Sequence, residues 1–136
     1  MRYLLDTNAV IALLNDPAGR VSRKLRSRPP ADVGISVVVM HELYFGAFKS
    51  ARRDRNLALV DALQFEVLEL DAADARHSGE IRAWLAARGT PIGPFDVLIA
   101  GQARARGLTL VSENLREFAR VPGLKTEGWG DAPTPS

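Results

Sequence analysis

The chain has 136 residues and a formal net charge of +2, with 46% hydrophobic and 25% charged residues, the balance of one globular domain. It contains no cysteine and two histidines, which excludes disulfide scaffolds, thiolate metal sites, a cysteine nucleophile and sites built from three histidines. Any bound metal is therefore expected to be held mainly by oxygen atoms, a chemistry that suits Mg²⁺ or Mn²⁺.

Short apolar runs alternate with longer segments of helical character, a pattern that predicts an α/β fold with parallel strands. Strands are predicted at residues 3–5, 33–36, 65–70 and 108–111, with a candidate edge strand at 124–126. Helices are predicted at residues 9–14, 19–28, 38–50, 52–63, 71–89 and 94–107, and a short helical turn at 114–118. We expect a single domain over residues 1–129 and a tail over residues 130–136.

No feature of the sequence directs it to a membrane. Asp6 interrupts the apolar run at the N-terminus, so that run does not form the apolar region of a signal peptide. No window approaches the roughly 18 consecutive apolar residues of a membrane-spanning helix. Together with the absence of cysteine, these features predict a cytoplasmic protein.

Basic residues gather in two segments although the net charge is small. Residues 20–28 carry five cations and no acid, and residues 49–55 carry four cations and one acid. The candidates for contact with a nucleic-acid backbone are Arg20, Arg23, Lys24, Lys49 and Arg52. Charge alone favours this interpretation no more than that of solvated helix faces.

Three acids occupy positions at which a parallel sheet collects functional groups. Asp6 directly follows the first strand, Glu42 lies on the helix after the second strand, and Asp96 lies in the first turn of a later helix. Glu113 and Asn114 follow the fourth strand. Such sheets bind ligands at the carboxyl ends of their strands, where connectivity alone places Asp6 and the pair Glu113 and Asn114. Glu42 and Asp96 could join them from helices that flank this edge.

Each acid also has a purely structural interpretation. Asp6 can serve as an N-cap, Glu42 as a solvated helix residue and Asp96 as a partner of the helix dipole. Glu113 has the character of an exposed turn residue. The apolar neighbours of the first three acids favour a function, because burying several carboxylates together is costly unless a cation joins them.

Several segments carry a pattern that is more specific than the acids alone. They are Leu4-Leu5-Asp6-Thr7-Asn8, Ile35-Ser36 with His41-Glu42-Leu43-Tyr44-Phe45-Gly46-Ala47, Ile92-Gly93-Pro94-Phe95-Asp96-Val97-Leu98-Ile99-Ala100, Leu110-Val111-Ser112-Glu113-Asn114-Leu115-Arg116-Glu117-Phe118, and Val121-Pro122-Gly123-Leu124 with Glu127-Gly128-Trp129. In this order they make the chain resemble the PIN-domain ribonucleases and, within them, the VapC-type toxins of bacterial type II toxin–antitoxin systems. The resemblance extends from Tyr3 to about Trp129.

The resemblance implies a three-layer α/β/α sandwich around a short central parallel sheet of four or five strands. It also implies that Asp6, Glu42 and Asp96 form the catalytic acidic group that binds Mg²⁺ or Mn²⁺. Asn8 and Ser112 are implied to orient the acids or the waters of the metal ion.

The fourth acidic position of the wider family falls on Asn114 in this chain. Asparagine is neutral, so a second metal ion is expected to bind more weakly than among four acids. Glu113 is the neighbouring side chain that could compensate. The number of metal ions, one or two, stays open at this point.

The implied activity is endonucleolytic cleavage of RNA by metal-activated water, leaving 5′-phosphate and 3′-hydroxyl ends. The implied partners are an RNA substrate, a cognate antitoxin protein and a second copy of the chain, with a hetero-oligomer of toxin and antitoxin as a further assembly. Tyr44, Phe45 and Phe48 either line a groove for an antitoxin helix or fill the core. No motif encodes the RNA target.

Other classes of protein fit the sequence less well. A phosphatase of the haloacid-dehalogenase type requires a second aspartate where this chain has Asn8, and a receiver domain requires an adjacent acidic pair near its start, which is absent. The alternative is a PIN-fold module that binds RNA with weak or no catalysis. Three clustered acids argue against it, because their charge repels a phosphate backbone unless a metal ion neutralises them.

Overall fold

A computed structural model describes residues 1–130. In chain order they form β1 (Tyr3–Leu5), α1 (Thr7–Asn15), α2 (Arg20–Arg26), β2 (Val33–Ser36), α3 (Val37–Lys49), α4 (Arg53–Asp61), β3 (Glu66–Leu68), α5 (Ala72–Ala87), α6 (Pro94–Ala105), β4 (Thr109–Val111), α7 (Leu115–Phe118) and β5 (Lys125–Glu127). Apart from Gly130, the predicted tail lies outside the described residues. Across residues 1–130, no helix is long and apolar enough to span a membrane.

The strands form one parallel sheet in the order β3-β2-β1-β4-β5. Leu5 of β1 lies opposite Ile35 on one side and opposite Val111 on the other. From β1 the chain builds the sheet first towards β3 and then, after α6, towards β5. The direction reverses between β1 and β4, and a crevice opens at the carboxyl ends of such strands.

The central strand is apolar because both of its faces are covered. All three residues of β1 are buried, as expected for a parallel strand with helices on both sides of the sheet. Beyond β5, Trp129 is buried and packs edge-on against Tyr3, with 5.3 Å between ring centroids. This contact anchors the segment that follows β5 on the first strand.

Helices α5 and α6 are joined through a buried aspartate at the start of α5. The predicted N-cap of α5 is confirmed, since Asp71 and Asp74 form a capping box. Asp74 is buried and also accepts hydrogen bonds from Gln102 and Arg106 at the end of α6. Burial raises the pKa of Asp74, but its hydrogen bonds, above all the one from Arg106, outweigh this effect and lower the pKa below its ordinary value. These bonds tie the C-terminal end of α6 to the start of α5.

The predicted α/β sandwich with a short parallel sheet is confirmed, with five strands. The helix predicted at residues 19–28 is shorter, because the two prolines after it lead into a 3₁₀ turn over Pro30–Asp32. The strand predicted at residues 65–70 is also shorter, since only Glu66–Leu68 pair with the neighbouring strand at this edge. The predicted edge strand lies one residue later, at Lys125–Glu127.

Candidate active site

Asp6 lies at the reversal point of the sheet, directly after β1, and only 2% of it is exposed. Its Oδ1 accepts the N–H of Ala9 at 2.8 Å, so Asp6 is the N-cap of α1. Its Oδ2 accepts the hydroxyl of Ser112 at 2.5 Å. The register explains this meeting, because Leu5 and Val111 are paired and each immediately precedes one of the two residues.

Glu42 approaches the same edge from α3. Its Oε1 accepts the hydroxyl of Thr7 at 2.8 Å, and this bond ties α3 to the start of α1. Thr7 is a contact that sequence reasoning missed. Asn8, which the resemblance singled out instead, is exposed and forms no hydrogen bond with these acids within residues 1–130.

Asp96 lies in the first turn of α6 and is half-buried. A Cβ placed on Gly93, the N-cap of α6, would lie 3.0 Å from Oδ2 of Asp96. Glycine at this position therefore leaves room for the carboxylate to fold back over the helix start.

The pKa of Asp6 reflects burial among other acids. It is raised from 3.8 to about 6, with burial as the largest cause and the charges of Glu113 and Glu42 acting in the same direction. The hydrogen bonds from Ser112 and Ala9 lower it and so offset part of the rise. Two separate elements, α3 and the loop after β4, thus bring negative charge towards Asp6.

Glu117 is an acid that the sequence analysis did not single out. Burial raises the pKa of Asp96 to about 6, and the charge of Glu117 is the next cause, followed by those of Glu42 and Asp6. The carboxylate of Glu117 accepts a hydrogen bond from the side-chain amide of Asn114. The spacing of three residues between Asn114 and Glu117 was the available signal, because such residues are neighbours on a helical turn.

The residues after β4 are directed to different partners. Besides donating to Asp6, Ser112 accepts the N–H of Asn114 at 2.8 Å through its hydroxyl oxygen. Glu113 is exposed, and its Oε1 accepts the N–H of Gly130 at 3.1 Å. Of the two candidates for the fourth position, Asn114 therefore contacts an acid of the site, whereas Glu113 contacts the C-terminal segment.

The donor set has the chemistry of a site for a hard divalent cation, because it consists of carboxylate and hydroxyl oxygens. The four acids concerned are Asp6, Glu42, Asp96 and Glu117. Among residues 1–130 none of them belongs to an ion pair, so no cationic side chain neutralises them. In the same range no three histidine or acidic side chains converge closely enough to hold an ion as they stand. The donors fit a divalent cation, and binding requires the carboxylates to turn towards one another against their repulsion.

The basic candidates are all exposed, but they differ in surroundings. Arg20 and Arg23 line a cleft of about 530 Å³ that also includes Glu113. Lys24, on the same helix, is exposed and does not line this cleft. Arg52 is exposed at the start of α4.

The aromatic residues after Glu42 differ in how far they are exposed to solvent. Phe45 and Phe48 are 60% and 54% exposed, so the alternative that they fill the core is wrong. The ammonium group of Lys49 lies 5.3 Å from the centre of the Phe45 ring. Tyr44 is half-buried, and its hydroxyl donates to Asp61 at 2.5 Å.

The parallel sheet and the carboxylates at its reversal point define an α/β domain with a candidate site for a divalent cation. Comparison with known proteins assigns this domain to a family. The family described as PIN domain matches residues 3–124. Over 135 residues the chain is 46% identical to the tRNA(fMet)-specific endonuclease VapC of Shigella flexneri, covering 95% of this chain and 98% of that one. It is 40% identical over 134 residues to Ribonuclease VapC2 of Haemophilus influenzae, with the same coverage.

Two solved structures share the fold along nearly the whole chain. The DNA-bound VapBC complex of Salmonella typhimurium contains a chain with a TM-score of 0.90 and 41% identity, covering 95% of this chain and 98% of that one. VapBC2 of Rickettsia felis, bound to a promoter DNA fragment, gives a TM-score of 0.88 and 32% identity, covering 95% and 99%.

The chain therefore belongs to the PIN-domain family. Within that family its relatives are VapC ribonucleases, which confirms the predicted class. Nucleases of this family generally depend on a divalent metal ion.

Proposed function

We propose that this protein is a metal-dependent endoribonuclease that acts in the cytoplasm as the toxin of a type II toxin–antitoxin pair. The observation that carries the proposal is the group of four carboxylates, Asp6, Glu42, Asp96 and Glu117, at the reversal point of a PIN-domain sheet. VapC ribonucleases that match it over 98% of their own length support the same activity.

We propose Mg²⁺, with Mn²⁺ as a substitute, as the metal ion, because all available donors are oxygen atoms. Asp6, Glu42 and Asp96 would hold it, and Glu117 supplies the fourth negative charge. A divalent cation bound there would supply activated water and offset charge that develops on the phosphodiester. Asn114 enters the site through its hydrogen bond to Glu117.

The other side chains of the site orient these acids. Ser112 and the backbone of Ala9 hold one oxygen each of Asp6, which fixes the plane of the carboxylate and favours its ionised form. Thr7 holds Oε1 of Glu42 and leaves Oε2 without a protein partner in residues 1–130. Ionised and partly unpartnered oxygens are the state in which these groups bind a cation.

The proposed substrate is RNA, and transfer RNA is the first class to test. The relatives from Shigella flexneri and Salmonella typhimurium are named as tRNA(fMet)-specific endonucleases. The exposed cations Arg20, Arg23, Lys24, Lys49 and Arg52 are proposed to contact the RNA backbone, so binding should weaken as salt rises.

The proposed partners are a cognate antitoxin and a second copy of the chain. The similar structures from Salmonella typhimurium and Rickettsia felis are VapBC complexes. On this chain, Phe45 and Phe48 expose large apolar side chains on one helix, α3, and such surfaces suit protein partners. We propose a homodimer that assembles with the antitoxin into a hetero-oligomer.

The alternative is a PIN-fold module that binds RNA with weak or no catalysis. The acidic group disfavours it, because unneutralised carboxylates both cost stability and repel phosphate. Cleavage of purified transfer RNA by the wild type, with Mg²⁺ or with EDTA, separates the two functions. Asp6→Asn and Asp96→Asn are the test variants, and Glu66→Gln, an exposed acid on β3, is the matched control.

We expect cleavage by the wild type and by Glu66→Gln only with the metal ion. Both aspartate variants should lose activity by on the order of a hundredfold or more, and their expression should no longer arrest growth. RNA binding without cleavage, or cleavage that persists in EDTA or in both variants, would contradict the proposed activity.

A further inference from the structure

We propose that the cleft between α2 and the loop after β4 is a subsite for an RNA phosphate that flanks the one to be cleaved, with Arg20 and Arg23 as positioning residues. This cleft, here called the α2 cleft, has a volume of about 530 Å³, and Glu113 and Gly130 form its other wall. The inference rests on the proposed ribonuclease function and adds to it the path that the RNA chain takes beside the acids.

The two guanidinium groups of the α2 cleft have no partner in the protein. Arg20 and Arg23 are exposed, and within residues 1–130 neither side chain forms an ion pair or a hydrogen bond. Since they are three residues apart, they share one face of α2. Two other cations of the same segment are occupied: Arg26 donates to the carbonyl of Pro17 at 2.9 Å, and Arg28 lies over an aromatic ring at 4.7 Å. Lys24 is exposed but lies outside the cleft.

The acids of the α2 cleft do not neutralise these arginines. Glu113 is directed to the N–H of Gly130, and the carboxylate of Asp16 lies over Gly19, where an added Cβ would come within 2.4 Å of it. Two guanidinium groups free to converge on one anion are the usual recognition element for a phosphate.

The α2 cleft lies next to the acidic group, because two consecutive residues contact one site each. Glu113 lines it, and the preceding residue, Ser112, donates a hydrogen bond to Asp6. The charge of Glu113 also contributes to the raised pKa of Asp6. An RNA chain whose scissile phosphate lies at the acids would therefore bring a neighbouring phosphate close to the guanidinium groups of Arg20 and Arg23.

The test compares two double variants that remove the same charge. Arg20→Ala with Arg23→Ala alters the α2 cleft, whereas Arg76→Ala with Arg82→Ala removes two exposed arginines from α5. Binding of a fluorescently labelled single-stranded RNA of mixed sequence is measured in EDTA at several salt concentrations. Cleavage of transfer RNA with Mg²⁺ is measured in parallel, and thermal unfolding verifies that all variants fold.

We expect the cleft variant to bind RNA on the order of tenfold more weakly and to lose about 0.7 from the slope of log affinity against log salt, the value for one phosphate contact on a single strand. In cleavage its KM should rise while kcat changes little, and the α5 variant should match the wild type. Equal affinities and slopes for the two double variants would overturn the subsite. If the wild type cleaves RNA and the cleft variant is unchanged, the subsite fails and the ribonuclease stands. If the wild type does not cleave RNA but the cleft variant binds RNA more weakly, the proposed ribonuclease activity is rejected and phosphate binding in the α2 cleft is retained.

Discussion

The hydroxyl of Ser112 donates a 2.5 Å hydrogen bond to Oδ2 of Asp6 across the reversal point between β1 and β4. The residues are 106 positions apart in the chain. Through the same oxygen Ser112 accepts the N–H of Asn114. One buried serine thus links the acid after β1 to the loop that carries Asn114 and, through it, Glu117.

Replacing Ser112 with alanine should shift the pH dependence of cleavage. The serine hydrogen bond lowers the pKa of Asp6 against the effect of burial, so its loss raises that pKa and more of the carboxyl is protonated near neutral pH. We expect kcat/KM to fall several-fold at pH 7 and to recover partly at pH 8. Ser78→Ala, at another buried serine on α5, is the control; identical pH profiles for both variants would contradict the role of Ser112.

Replacing Asp6 with asparagine should stabilise the metal-free protein at neutral pH. The pKa of Asp6 is raised from 3.8 to about 6 in the folded state, so the stability associated with this group is greatest below about pH 4 and is lost as the pH rises to about 6. Asparagine is also a good N-cap for α1. In EDTA above pH 6, we expect a gain on the order of 2 kcal/mol in the free energy of unfolding over the wild type.

The measurement for Asp6→Asn is urea unfolding from pH 4 to pH 8. The difference from the wild type should be small near pH 4 and should reach a plateau above pH 6. A difference that is constant over this range would show that the variant acts through something other than the charge of Asp6.

Binding of Mg²⁺ should raise the melting temperature of the wild type. At a Mg²⁺ concentration ten times its Kd, linkage predicts about 1.4 kcal/mol of stabilisation, or roughly 3–8 °C. Differential scanning calorimetry of wild type, Asp96→Asn and Glu66→Gln, with Mg²⁺ and with EDTA, measures the effect. An equal rise in Asp96→Asn and the wild type would place the ion elsewhere on the protein.

Replacing Glu117 with glutamine should weaken the response to the metal ion. The charge of Glu117 acts on Asp96, so its removal lowers the negative potential that attracts a cation. We expect the Mg²⁺ concentration for half-maximal cleavage to rise roughly 3–10-fold, about 1 kcal/mol of binding energy. Glu66→Gln should leave it unchanged, and an unaltered Mg²⁺ requirement in Glu117→Gln would exclude Glu117 from the site.

Short-range patterns predicted most elements of the fold and one group of site residues. Asp6 directly follows a predicted strand, Asp96 lies in the first turn of a predicted helix and Glu42 lies within one, and their apolar neighbours and the order of the motifs singled them out. Glu117 was not singled out because its position on a four-residue helix, between Arg116 and the buried Phe118, does not distinguish it from an ordinary surface acid. Its membership depends on where α7 lies relative to α6, and no local pattern carries that information.

The sequence by itself determined the class of protein, since alternating strands and helices, the absence of cysteine and the order of the motifs are properties of the chain read in one dimension. Only the tertiary structure decided which neighbours act together. Thr7 rather than Asn8 holds Glu42, and Glu113 accepts the N–H of Gly130 while its charge still acts on Asp6. These choices follow from strand register and helix placement, which bring residues far apart in sequence within hydrogen-bond distance.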